Sequence, residues 1–180
     1  LFAVSEDQLE WLGSAGVNPL MYRDRTMLAL TVDHVRRITA STSSGEQGVM
    51  REEGGTWNCI GADLLEPELE TIEQVLFSAA SVRAVRVVVH TPKSLTEYGL
   101  EAPVASVTFG LQGAVGIQKS LLIGRADEAN LVFAMVRGQD VVFLIPDALA
   151  SLFQQPLCRA VAPPSEPPEE AETAVLHEDD

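Results

Sequence analysis

The sequence predicts an α+β domain, an antiparallel β-meander with a few short helices. Three observations carry this. Strand-like runs follow one another at residues 104–111, 120–124, 131–137 and 140–145. The links between them are short and end in the tight Gly138-Gln139, whereas a parallel crossover needs about a dozen residues or more. One stretch has apolar residues at helical spacing, Leu65, Leu69, Ile72, Leu76 and Ala79, which gives one apolar helix face. Helix and strands thus fall in separate runs, the α+β arrangement.

The elements follow in chain order. Leu1-Phe2-Ala3-Val4 reads as a strand. Ser5 then opens a short amphipathic helix with Glu6 and Asp7 in its first turn, where a hydroxyl cap and acidic side chains suit the helix dipole. The same order recurs at Val142-Phe143-Leu144-Ile145, followed by Pro146, Asp147 and a second amphipathic run, with proline suited to a helix start. Each copy is followed by a Pro-Leu pair, Pro19-Leu20 and Pro156-Leu157. We read an internal repeat. Residues 1–20 are the last strand and helix of one unit, residues 21–162 a whole α+β unit ending in the same elements, and residues 163–180 a tail. Such repeats mark stacked modules of a longer parent. The start at Leu1, with no basic leader or cleavage site after it, also reads as a piece of something longer.

Residues 34–41 mix apolar, basic and β-branched side chains and read as a strand, followed by a polar loop over 42–48. Two short strands, 48–52 and 56–60, flank Glu53-Gly54-Gly55, a turn suited to a hairpin. Pro67 starts the helix, with Glu66, Glu68 and Glu70 near its N-terminal end. Residues two apart do not share a helix face, so these acids read as solvated charge and not as a metal site. Residues 84–90 form a β-rich run through Val85-Arg86-Val87-Val88-Val89. Ser94-Leu95-Thr96-Glu97 has capping-box spacing, and Gly99 closes that turn in the left-handed region. The helix and hairpin are expected to form a layer preceding the meander.

Composition excludes several classes. The 180 residues carry 26 acids against 12 Lys and Arg, a net charge of −14, which argues against a nucleic-acid binder. No apolar run reaches the ~18 residues of a bilayer span. A chain of this length buries enough apolar surface to need no metal or disulfide staple. Half of the net charge sits in residues 163–180, which hold four of the ten prolines, seven acids and no Lys or Arg. Such a segment reads as a solvated, disordered tail, with a docking tail for a basic partner as the alternative. Cys59 and Cys158 match no zinc or redox spacing. Both read as buried thiols, a disulfide being the alternative, and the redox compartment stays undecided.

Motifs for chemistry are absent. There is no P-loop, dinucleotide fingerprint, nucleophile elbow or zincin motif. His34, His90 and His177 are scattered. No catalytic, cofactor-binding or metal-ligating residue is assigned, and no cofactor is expected. Trp11 and Trp57 read as core or rim aromatics, with ligand stacking as the alternative. Asp24 and Arg25, in Tyr22-Arg23-Asp24-Arg25, read as a local ion pair or turn, or as a contact between units. Gly124 follows Leu121-Leu122-Ile123 with no lysine or helix after it. It therefore reads as a strand-ending turn, not a phosphate cradle.

One pattern is familiar. Tyr98-Gly99-Leu100-Glu101-Ala102-Pro103, then a strand, then Leu121-Leu122-Ile123-Gly124, then Val142-Phe143-Leu144-Ile145, resembles the bacterial domain-of-unknown-function family 4340. Tyr22-Arg23-Asp24-Arg25 and Trp57 behind a glycine turn are similar to the same pattern, so the resemblance covers residues 20–157. It implies an N-terminal membrane anchor followed by one or more extracytoplasmic units, encoded near ABC-transporter subunits of the gliding-motility or auxiliary type. The family offers no established catalytic residues to carry over. The matching positions read as fold-making. Gly99 permits a turn, Pro103 blocks helix continuation, Leu100 packs inward beside Tyr98, and Gly124 ends a strand.

The expected function is a non-enzymatic, extracytoplasmic interaction module of a membrane-anchored, transporter-associated protein. Its expected partners are ABC-transporter subunits or neighbouring repeat units, with no nucleic acid. A weak homodimer is expected through a strand edge at Phe2 and Val4, and Asp24 and Arg25 are further interface candidates. One alternative is a small-ligand or glycan-binding module on the open face of the sheet, which predicts a concave, aromatic-lined cleft. The other is a hydrolase with an unrecognised site, which predicts converging His or acids with shifted pKa values. Deleting residues 163–180 is expected to leave the free energy of unfolding unchanged within about 1 kcal/mol. A larger loss in thermal unfolding would mean that the tail packs on the domain.

Overall fold

Residues 20, 24–61, 64–112, 117–127 and 129–161 are described in the computed structural model. The N-terminal copy of the expected repeat, with Phe2 and Val4, and the acidic tail lie outside them, so the repeat itself falls outside the described residues. The strands are β1 (Thr26–Leu28), β2 (Val35–Thr42), β3 (Gly45–Arg51), β4 (Trp57–Cys59) and β5 (Leu65–Pro67). After helix α1 (Leu69–Ala79) come β6 (Val82–Arg83), β7 (Arg86–His90), β8 (Ala105–Leu111), β9 (Gln118–Ala126), β10 (Leu131–Val136) and β11 (Val141–Pro146). Helix α2 (Asp147–Leu152) and β12 (Cys158–Ala160) close the described chain.

Eight of these strands form one antiparallel sheet in the order β4-β3-β2-β8-β9-β10-β11-β7. The four-strand meander is there as expected, β8 through β11, with Gly138 at φ 86° in its last turn. The hairpin forms no separate layer. It joins the meander edge to edge, because β2 pairs with β8 from Val35↔Leu111 to Thr42↔Ala105. The polar residues 42–48 are not a loop either. β2 and β3 pair out to Thr42↔Gly45, leaving a two-residue turn, and Gly45 takes φ 124°.

The order forces two crossings. β4 and β7 are opposite edges, so the chain between them must pass over one face, and α1 does so. β7 and β8 are separated by three strands and four antiparallel pairings, and therefore run parallel. Parallel strands need a crossover. Residues 91–104 supply it as a strap over the opposite face, with one short 3-10 turn, Thr96–Tyr98.

Two apolar clusters follow from the two crossings. On the inner face, Ile38, Val107, Phe109, Leu121, Ile123 and Ile145 pack against Ile72, Val75 and Leu76 of α1 and Ala150 of α2. On the outer face, Leu100 of the strap packs on Leu122, Phe133, Met135, Val142 and Leu144. The buried α1 residues are Thr71, Ile72, Val75, Leu76 and Ala79, while Leu69 stays exposed. Ile72, Leu76 and Ala79 face the core as expected, with Thr71 and Val75 beside them in place of Leu69, and the helix starts at Leu69, after Glu68, and not at Pro67. Leu65 and Pro67 belong instead to β5, which pairs with β12. Glu68 is the N-cap residue and Glu70 lies in the first turn, whereas Glu66 belongs to β5. Glu66 and Glu68 are not merely solvated. They approach Arg159 of β12 at 3.8 and 3.4 Å. Nor does Ser94 form a capping box: its Oγ accepts from Thr96 N at 3.2 Å, a local turn. At the C-terminal copy of the expected pattern, β11 leads directly into α2, with Pro146 at the N-cap.

The cysteines are not free thiols. Cys59 and Cys158 form a disulfide with Cα atoms 6.3 Å apart, within the usual span of such bridges. The reason is long-range. Gln47 Oε1 on β3 accepts from Leu157 N at 2.9 Å and Cys158 N at 3.3 Å, which lays β12 beside the β3–β4 hairpin. The bridge closes a sequence separation of 99, so replacing both cysteines by serine should cost about 2–5 kcal/mol. Urea unfolding of the double variant checks this, and an unchanged midpoint would contradict it.

Candidate functional site

The strap divides the outer sheet face in two. Where it crosses β9, backbone meets backbone. Gly99 takes φ 66°, and a Cβ there would lie 2.8 Å from Arg125 N. A Cβ at Gly124 would overlap the carbonyl oxygen of Tyr98 and stand 3.2 Å from the Leu100 side chain. Arg125 Nε donates to the Glu97 carbonyl at 2.7 Å, and its guanidinium lies 5.3 Å above the Phe133 ring. The Tyr98 ring meets Phe133 edge-on at 5.2 Å. The Thr96 hydroxyl bonds to the Glu101 carboxylate, which steadies the strap's own turn.

Four of the five motif residues, Tyr98, Gly99, Leu100 and Gly124, therefore meet at one crossing. Pro103 lies further along the strap. The expectation that Gly124 ends a strand is corrected. It is buried inside β9 and lacks a side chain because the strap rests on it.

Beyond the strap the outer face is open. Register aligns Gly48, Thr39, Thr108 and Ser120 across β3, β2, β8 and β9. The hydroxyls of Thr108 and Ser120 are 2.9 Å apart. A second row runs Glu46, Ser41, Ser106 and then Leu122, which is already under the strap. Ser41, Thr42, Ser43, Pro103, Val104 and Ser106 line a shallow hollow of about 360 Å³ where strap and open face meet. Met50 and Val104 beside these rows are 51% and 49% exposed. The rows are flat, and their side chains are small.

Chemically, these hydroxyls can donate and accept hydrogen bonds. Among the described residues no three His, Cys, Asp or Glu converge as a metal site. Trp57 is buried against the inner core, with Arg51 5.8 Å above its ring. The alternation behind the rows was present in the sequence, at Thr39 and Ser41 and at Ser106 and Thr108, but only the β2–β8 register joins them.

Asp24 and Arg25 lie away from this face. Asp24 Oδ1 accepts from Thr26 N at 2.9 Å. That backbone bond, then the Thr26 side chain, with a smaller pull from Arg83, holds its carboxyl below the usual value. Arg25 donates to the Val85 carbonyl at 2.9 Å, and its own carbonyl accepts from Ala84 N at 2.8 Å. Both brace the β1–β6 pair.

The family profile for a domain of unknown function, DUF4340, matches residues 57–158, more than half of the chain. The chain belongs to the DUF4340 family. The DUF4340 match runs from β4 to β12 and so contains the strap, its contact on β9 and both cysteines. No curated protein and no solved structure matches the chain.

Substitution should separate the two halves of the outer face. Gly99→Val is expected to lose about 1–3 kcal/mol, since a β-branched residue is strained in the left-handed region, and Gly124→Val a similar amount through overpacking. Thr108→Arg, on the open half, should stay within about 0.5 kcal/mol of the parent. Denaturant midpoints decide, and equal losses at all three positions would contradict the division.

Proposed function

We propose that the chain is a non-catalytic interaction module working outside the cytoplasm, as part of a membrane-anchored protein associated with an ABC transporter. The observation that carries this reading is the Cys59–Cys158 bridge. Disulfides persist in oxidising compartments and are rare in the cytosol, and this one lies inside the family span. The open half of the outer face supports the rest. Small side chains and hydroxyls with acceptor capacity left beyond the Thr108–Ser120 bond let another surface come close and bond to it. The partners in this reading are neighbouring repeat units or transporter subunits.

A second reading is favoured by the hydroxyl rows and the hollow beside Pro103. It is a small-ligand or glycan site on the same face.

Alkylation of thiols in intact cells expressing the protein, followed by non-reducing denaturation and a second label, should find neither cysteine available. Labelling of both would overturn the extracytoplasmic reading. A photo-cross-linker at Thr108 should trap a product of a neighbouring transporter gene, and Thr39→Arg should suppress that adduct with unfolding unchanged. An oligosaccharide that shifts the amide resonances of Thr39, Thr108 and Ser120, with no protein adduct formed, would decide for the second reading.

A further inference from the structure

Charge is sorted along the strands. The pairings Val35↔Leu111, Gly110↔Gln118 and Val141↔His90 place one end of the sheet. Arg37, Lys119 and Arg137 lie there, with Lys93 at the start of the strap. Arg137 N donates to Ser120 O at 2.8 Å, and Thr91 N to Asp140 O at 2.6 Å, which fixes the last two positions. At the other end lie Glu46, Glu101, Asp127 and Asp147, together with the cations Arg86 and Arg125; Arg86 is paired with Asp127 and Arg125 is bonded to the Glu97 carbonyl.

The two ends differ in how their charges are matched. The ion pairs among the described residues, Arg86–Asp127 and Arg159 with Glu66 and Glu68, involve none of the four cations at the basic end. Asp33, Glu52, Glu53 and Asp140 lie at this end too, Asp33 and Glu53 beside Arg36 and Arg51, but no carboxylate comes within ion-pair distance of Arg37, Lys93, Lys119 or Arg137 among the described residues. Arg36, beside them, is held by the neutral Gln112 Oε1 at 2.6 and 3.0 Å. In a chain with 26 acids and 12 Lys and Arg, four cations at one end of the sheet, none with an acid partner among the described residues, are unexpected.

The sorting does little within one molecule. Seven-residue β8 spans about 24 Å at ~3.4 Å per residue. The Debye length is about 8 Å at physiological ionic strength, so the ends do not attract each other through solvent. They are complementary between molecules. We propose that a second copy of this chain docks end to end, the Arg37–Lys119–Arg137 end of one sheet against the Glu46–Glu101–Asp147 end of the next. Such a contact is heterologous and leaves one basic and one acidic end free for further copies. The net charge of −14 opposes it at long range, so the attraction is short-ranged. This inference rests on the reading of the chain as an interaction module and names one partner for it.

The test uses the full chain and two charge-reversed versions, Arg37→Glu with Arg137→Glu, and Glu46→Arg with Glu101→Arg. Circular dichroism and thermal unfolding first confirm that each folds as the parent does. In sedimentation velocity at physiological ionic strength, where the net repulsion is screened beyond about 8 Å, the parent should self-associate over a concentration series. Each reversed version alone should associate at least about tenfold more weakly, since like charges then face each other. Mixing the two reversed versions should restore association, because one is then acidic at both ends and the other basic at both. A parent that stays monomeric, association indifferent to the reversals, or a mixture no tighter than its components would each overturn the proposal. Binding of the parent to anionic phospholipid vesicles, lost on Arg37→Glu with Arg137→Glu and without self-association, would overturn it in favour of a lipid surface. A monomeric parent that still forms the Thr108 adduct would sink the end-to-end contact and leave the module reading standing.

Discussion

The crossing of the strap over β9 is the constraint on which the outer half of the structure depends. β7 cannot reach β8 without passing three intervening strands. The passage is made at backbone contact, with the Tyr98 carbonyl on Gly124 and Gly99 against Arg125. Raising the strap by one methyl group would withdraw Leu100 and Tyr98 from Phe133 and Leu122. A fully buried leucine alone contributes about 1.5–3 kcal/mol. Two glycines thus secure an apolar cluster that neither of them belongs to. Arg125 helps without an acid partner, by donating to a strap carbonyl and lying on an aromatic face.

What the sequence disclosed was local. The meander strands were legible because Val104, Ser106 and Thr108 alternate with Ala105, Val107 and Phe109, a pattern of period two that needs no knowledge of neighbours. The left-handed turn at Gly99 was legible for the same reason. The order of the strands was not, since nothing within residues 35–42 says that they pair with residues 105–111. The disulfide was hidden likewise. It depends on Gln47, 111 residues from Cys158, holding β12 in place. Pro67 misled as a helix start because β5, a strand of three residues, is too short to show a period.

The candidate site divides the same way. The motif residues were visible in advance as fold-makers, and the structure brings four of them to one point. What they build could not be read from them. By covering half of the outer face they leave the other half, with its rows of hydroxyls, as an open surface. Thr39, Thr108 and Ser120 are unremarkable apart, and become a feature only through the registers Thr39↔Thr108 and Thr108↔Ser120.

The bridge between Cys59 and Cys158 also has a mechanical meaning. It brings two points 99 residues apart in the chain to a Cα separation of 6.3 Å. Tension entering the segment along β4 can leave it along β12 through a covalent bond. The meander, the strap and both helices in between carry none of that load. Within a longer chain, residues 59–158 would then behave as an inextensible knot, holding their folded surface in one shape while the segments on either side are pulled.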